Sequence, residues 1–91
     1  MADVFVTLKI MPAGVDVNLN ELKTRAGKEI LAFKGRIIKE EIEPIAFGLN
    51  AVKLTLAYEE SRGGTDEIEA KIARLKDVES VDVVDVRRAI G

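Results

Sequence analysis

Two features of this sequence have the residue types to act on another molecule: Phe47, in the stretch Pro44-Ile45-Ala46-Phe47-Gly48, and the basic pair Arg87-Arg88. A large apolar ring in a segment bounded by Pro and Gly has little core to fill from there. It either folds back under its loop or stands out as an anchor for a pocket on a partner. Arg87-Arg88 is open in the same way, as solvated charge near a chain end or as a cation carried on the end of a strand. Gly63-Gly64 lacks the following Lys-Ser or Lys-Thr of a phosphate cradle and reads as a turn into a helix. Glu40-Glu41 and Glu59-Glu60 would suit paired carboxylates or a magnesium site, but adjacent strand residues point to opposite faces, so they read as solvated charge. The sequence contains neither Cys nor His. That removes disulfides, thiolate ligands and the usual general base.

The elements that must hold these residues belong to a chain of 91 residues, enough for one compact domain spanning 1–91 and too few for two. With 47% apolar and 33% charged residues, the composition is that of a folded globular protein. No apolar run approaches the roughly 20 residues of a bilayer span, and Met1-Ala2-Asp3 lacks the charge order of a signal peptide. A cytoplasmic location with no membrane contact is therefore expected. A net charge of -2 argues against general nucleic-acid binding, which draws on clustered Lys and Arg. The bases Lys23, Arg25, Lys28, Lys34, Arg36 and Lys39 crowd one segment, whereas Glu59 to Asp85 is acid-rich. An electrically two-sided molecule, suited to oriented docking, is expected.

Val4, Val6, Leu8 and Ile10 alternate with Phe5, Thr7 and Lys9, the period of a strand with one buried face, until Pro12 and Gly14 stop it. Asn18 and Glu21 resemble a capping box, and Leu19, Leu22, Ala26, Ile30 and Phe33 give a helix over about 18–34. Gly35 is expected to end that helix at positive φ. Residues 36–43 alternate weakly, as suits a charged edge strand, and Pro44 closes them. Val52, Leu54, Leu56 and Tyr58 mark a central strand. Thr65 offers an N-cap hydroxyl to a second helix with the inner stripe Ile68, Ile72 and Leu75. In the last strand, 80–88, the phase shifts between Val81, Val83 and Val84, Val86, which predicts a bulge or burial on both faces.

The order βαββαβ is that of an α+β ferredoxin-like sandwich: a four-stranded antiparallel sheet with both helices on one face. Strands one and two then run together and strands three and four oppose them, which sends the Phe47 loop and Arg88 to opposite ends of the sheet. An RNA-reading face would need outward aromatics on the central strands. Tyr58 shares the buried phase and only Phe5 is available.

Val6-Thr7-Leu8-Lys9-Ile10-Met11-Pro12, Pro44-Ile45-Ala46-Phe47-Gly48-Leu49, Tyr58-Glu59-Glu60-Ser61-Arg62-Gly63-Gly64-Thr65-Asp66 and Ser80-Val81-Asp82-Val83, in this order and spacing, resemble the guanine-nucleotide exchange domain of the elongation factor 1-beta family in its short archaeal form. The resemblance implies an exchange factor of translation elongation that is not an enzyme and needs no cofactor or metal of its own. Its partner would be the elongation factor 1-alpha GTPase, with no direct nucleic-acid contact. Phe47, with Ile45 and Gly48 of the same segment, would bind that partner, and Arg88 or Arg87 would perturb its magnesium site. The family carries Lys where Arg88 stands, and its eukaryotic members end just after it. The basic pair often found after the Phe loop is here Asn50-Ala51, and the Trp common after the first-strand Pro is absent. Apart from the resemblance, the residues leave open a ferredoxin-like regulatory or RNA-binding module. Acyl-phosphate hydrolysis on such a fold ranks last, since Met11-Pro12-Ala13-Gly14-Val15 stands where an Arg-bearing anion loop is needed.

Overall fold

The alternation at the start of the chain becomes β1 (Asp3–Pro12), whose Val4, Val6, Leu8 and Ile10 are buried while Phe5, Thr7 and Lys9 are half-buried. The computed structural model describes residues 3–88. After β1 come α1 (Leu19–Ala32), β2 (Arg36–Pro44), β3 (Asn50–Glu59), a single 3-10 turn (Glu60–Arg62), α2 (Asp66–Ala73) and β4 (Val78–Arg88). All pairings are antiparallel, in the order β2-β3-β1-β4, so β3 and β1 are central. This is the ferredoxin-like sandwich. Leu22, Ala26, Ile30 and Phe33 of the first helix segment and Ile68 and Ile72 of α2 close over the helix-side residues of β1 and β3.

Both edge strands carry a bulge. On β4 the pairing shifts between Thr7 and Leu8, leaving Val84 as the extra residue, which is where the valine pattern changes phase. Burial on both faces, the other reading, does not occur: Val83, Val84 and Val86 are all exposed. On β2 the extra residue is Ile38. The weak alternation of this segment has that cause as well as the edge position.

Local chemistry differs from expectation at the two helix boundaries. Asn18 does cap α1, its Oδ1 accepting from the amides of Asn20 and Glu21 at 3.0 and 3.2 Å. Thr65 precedes α2, but its hydroxyl donates to the Glu69 carboxylate at 2.7 Å and caps no backbone amide. At the end of α1 it is Lys34, with φ 71°, that takes the left-handed conformation, not Gly35. The amides of Lys34 and Gly35 donate to the carbonyls of Leu31 and Ile30, the paired bonds of a Schellman motif. Gly35 is needed for space: a methyl there would lie 3.0 Å from Cδ1 of Leu56 and 3.1 Å from Cγ2 of Ile30, both fully buried. Gly35→Ala should therefore destabilise the fold by about 1–3 kcal/mol through overpacking. Lys34→Gly should be neutral or stabilise by up to about 1 kcal/mol by relieving the backbone. Urea midpoints of the two variants check this, and a reversed order would contradict it.

Candidate functional site

Residues 45–49 form the connection between β2 and β3, closed by the Ile45 amide donating to the Leu49 carbonyl at 2.8 Å and the Leu49 amide donating to the Ala46 carbonyl at 2.9 Å. Phe47 and Gly48 both have positive φ, 53° and 80°. Glycine accepts this without penalty, but a bulky side chain does so at a cost of order 1–2 kcal/mol. The result is that the Phe47 ring stands at the loop tip, 98% exposed. A strained backbone that presents a bare aromatic gains nothing for folding, and the ring is not folded back under its loop. Ile45 is 38% exposed beside it.

A second apolar group at this end carried no signal in the sequence. Val15, in the β1–α1 connection, is 65% exposed, and a methyl at Gly48 would lie 3.7 Å from its Cγ1. Val15, Ile45 and Phe47 are thus exposed apolar residues at one end of the sheet, its apolar cap, with Val15 set beside Gly48 and the Phe47 ring standing clear. Val15 lies in the loop Met11-Pro12-Ala13-Gly14-Val15, where no period of strand or helix marks its direction.

Arg87 and Arg88 end β4, opposite Phe5 and Val4. Neighbouring strand residues alternate faces, so Arg87 lies on the open face of the sheet and Arg88 on the helix side. Arg87 Nε donates to Asp85 Oδ2 at 2.9 Å, and Arg88 Nη2 donates to Glu60 Oε1. Both side chains are otherwise well exposed. The Ala89-Ile90-Gly91 tail beyond them lies outside the described residues.

The two groups sit at opposite corners. Pro44 pairs with Asn50 at one end of β3, while Tyr58 at the other end pairs with Val4, which pairs with Arg88. Eight residue steps along the strand from Asn50 to Tyr58 span about 26 Å, and two strand spacings between β3 and β4 add about 10 Å sideways. The separation is therefore roughly 28 Å before the loop is counted, within a molecule 42 Å long. Phe47 and Arg88 are not brought together.

The expected electrical two-sidedness is blunted. Lys23 pairs with Glu40 at 3.1 Å, Arg25 with Glu21 at 3.5 Å, Arg36 with Asp3 at 3.2 Å and Lys39 with Glu41 at 2.7 Å. The hydrogen bond and charge of Lys39, with Lys53 nearby, hold the Glu41 carboxyl below its ordinary range. Four of the six bases in the segment are thus matched locally. The open sheet face carries Thr7 and Thr55, whose hydroxyls lie 2.9 Å apart, with Lys53 shared between Glu41 and Glu43. Phe5 is its one aromatic among the described residues. Tyr58 is 4% exposed on the helix side, donates to the Gly63 carbonyl at 2.9 Å, and has its phenol pushed up by burial. Among the described residues no Asp and Glu side chains gather in a group that could hold a metal ion, and no helix is long and apolar enough to cross a membrane.

The profile of the EF-1 guanine nucleotide exchange domain matches residues 5–89. The chain is 42% identical over 90 residues to elongation factor 1-beta of Methanococcoides burtonii, covering 99% of this chain and 100% of that one. It is 44% identical over 88 residues to elongation factor 1-beta of Methanobrevibacter smithii, covering 97% and 98%. Among solved structures, the ACT domain from GTP pyrophosphokinase of Chlorobium tepidum superposes with a TM-score of 0.62 over 90% of this chain and 99% of that one. Its 14% identity makes it a likeness of fold alone.

Proposed function

The chain belongs to the EF-1 guanine nucleotide exchange domain family and is a nucleotide exchange factor of translation elongation; from that premise we propose that its partner is the elongation factor 1-alpha GTPase and that it works through two separate contacts. The observation that carries the reading is the strained, almost fully exposed Phe47 at one end of a stiff sheet with Arg88 at the other. The apolar cap of Val15, Ile45 and Phe47 docks in a pocket of the GTPase, where burying a ring recovers the free energy that its exposure wastes. The sheet then sets Arg88 against the partner's nucleotide site. A fixed cation there repels the divalent magnesium ion and competes for its oxygen ligands, and loss of the metal loosens the diphosphate.

No covalent step is needed. The factor acts by binding the nucleotide-free GTPase more tightly than the GDP-bound form, and that differential affinity sets how far it can weaken GDP binding. Of the two arginines we assign this role to Arg88, which stands where the family carries Lys and lies on the helix side, whereas Arg87 lies on the open face. The open face, with its threonine pair and matched charges, suits neither base stacking nor a phosphate backbone, so a nucleic-acid role is not favoured.

Release of a fluorescent GDP analogue from the cognate elongation factor 1-alpha tests the proposal. Addition of this chain should raise the release rate in a saturable way, and an unchanged rate at saturating concentration would refute it.

A further inference from the structure

Glu60 read as solvated charge in the sequence, but it does not lie in a strand. It begins the 3-10 turn after β3, and its Oε1 accepts from Arg88 Nη2 across 28 positions of sequence. The turn is held firmly. The Tyr58 hydroxyl donates to the carbonyl of Gly63 at the turn's end, and the Arg62 guanidinium sits 4.8 Å from the centroid of the Phe33 ring. Phe33 in turn meets Tyr58 edge to face at 5.3 Å, and both rings are buried. The Glu60 carboxylate is thus presented from a mount anchored in the core. Beside the pair lies a hollow of about 570 Å³, bounded also by Val4, Gly63 and Val86, which leaves the guanidinium room to swing away.

We infer that Glu60 is a positioning residue that latches Arg88 in a charge-neutral pair, and that exchange requires this pair to part at the partner's surface. The inference rests on the proposed role of Arg88. A guanidinium that carries its carboxylate along presents a dipole in place of a net charge. Its repulsion of a divalent cation then falls off faster with distance, and the negative end attracts the ion that should be displaced. The active geometry therefore has Arg88 separated from Glu60. An exposed pair of this kind is worth at most about 1 kcal/mol, so the latch withholds up to about fivefold in rate.

Glu60→Gln keeps the shape and removes the charge. The maximal rate of fluorescent GDP release and the half-saturating concentration are measured at fixed salt for the unmodified chain, Glu60→Gln, Arg88→Gln and the double variant. The expected result is a maximal rate raised about two- to fivefold by Glu60→Gln, with half-saturation unchanged. The same substitution should do nothing in the Arg88→Gln background, where there is no cation to free. A rate unchanged or lowered by Glu60→Gln would overturn the latch, as would an equal rise in both backgrounds, which would mark a general effect of charge on the encounter. If the unmodified chain fails to accelerate release, the exchange reading falls first and the latch with it, an outcome separate from an active parent whose Glu60 variant is unaltered.

Discussion

Phe47→Ala is expected to weaken binding to the GTPase by about 2–4 kcal/mol, or about 30- to 900-fold in Kd, the range for an aromatic anchor that fills a partner's pocket. The same change should leave the fold almost untouched, within about 0.5 kcal/mol, since a ring that is 98% exposed makes little contact with the rest of the chain. This contrast is the signature of a docking residue. Titration calorimetry for binding and urea denaturation for stability measure the two halves separately. At saturating concentration the variant should still approach the parent's maximal release rate, because its cation is intact. A variant that binds normally would remove Phe47 from the interface, and one that unfolds would mean the ring has a structural role after all.

Arg88→Gln should show the opposite split. At an assumed separation of about 6 Å and an effective dielectric of about 40 for a partly wet interface, one unit charge and a divalent ion repel by about 2.8 kcal/mol. Losing that repulsion predicts a maximal release rate lowered roughly a hundredfold. The half-saturating concentration should change little, since the apolar cap is intact. Arg87→Gln, which disturbs a cation on the open face, should lower the rate less than threefold, within the range of a surface charge. Arg88→Lys should retain activity, as an ammonium carries the same net charge in a more compact head. If Arg87→Gln is the damaging substitution, the assignment moves one residue and the open face becomes the side that meets the GTPase.

Most of the fold could be read from the chain because it is written in period-two alternation, which depends on one sheet face being covered. Val4 to Ile10 and Val52 to Tyr58 pack the two central strands against the helices, and their residues follow the pattern except at Ala57, which is fully buried although out of phase. The bulge on β4 was legible for the same reason, since an inserted Val84 must shift the phase of the valines. The bulge on β2 was not: an edge strand buries little, so Ile38 and Ile42 remain exposed and no alternation is enforced. Glycine misled in one place. Gly35 has the position of a left-handed cap, but the turn is made at Lys34, and it is the approach of Leu56 and Ile30 that requires the missing side chain.

The site was legible only in part. Phe47 stood out because Pro44 and Gly48 bound its segment, yet whether the ring faced inward depended on a pair of positive φ angles that residue type does not announce. Val15 reached the cap through the fold, from a loop more than 30 positions upstream, and no local pattern could place it there. The pairing of Arg88 with Glu60 depends on the register of β4 against β1 and on the turn after β3, neither of which follows from spacing along the chain. The segment that follows the Phe loop is similar in this respect. Asn50 and Ala51 open β3, and Ala51 is fully buried, so the basic pair common in the family has no exposed counterpart at position 51.

Because the chain has no cysteine, single thiols can be introduced without background at positions 47 and 88 and armed with a short photoreactive cross-linker. Mapping the cross-linked peptides in the complex with the GTPase tests the two-ended contact most directly. Label at position 88 should mark segments that line the partner's magnesium and nucleotide site, and label at position 47 a separate region of the same molecule, roughly 30 Å away as the sheet dictates. Both labels reacting with one neighbourhood, or position 88 reacting only far from the nucleotide, would contradict it.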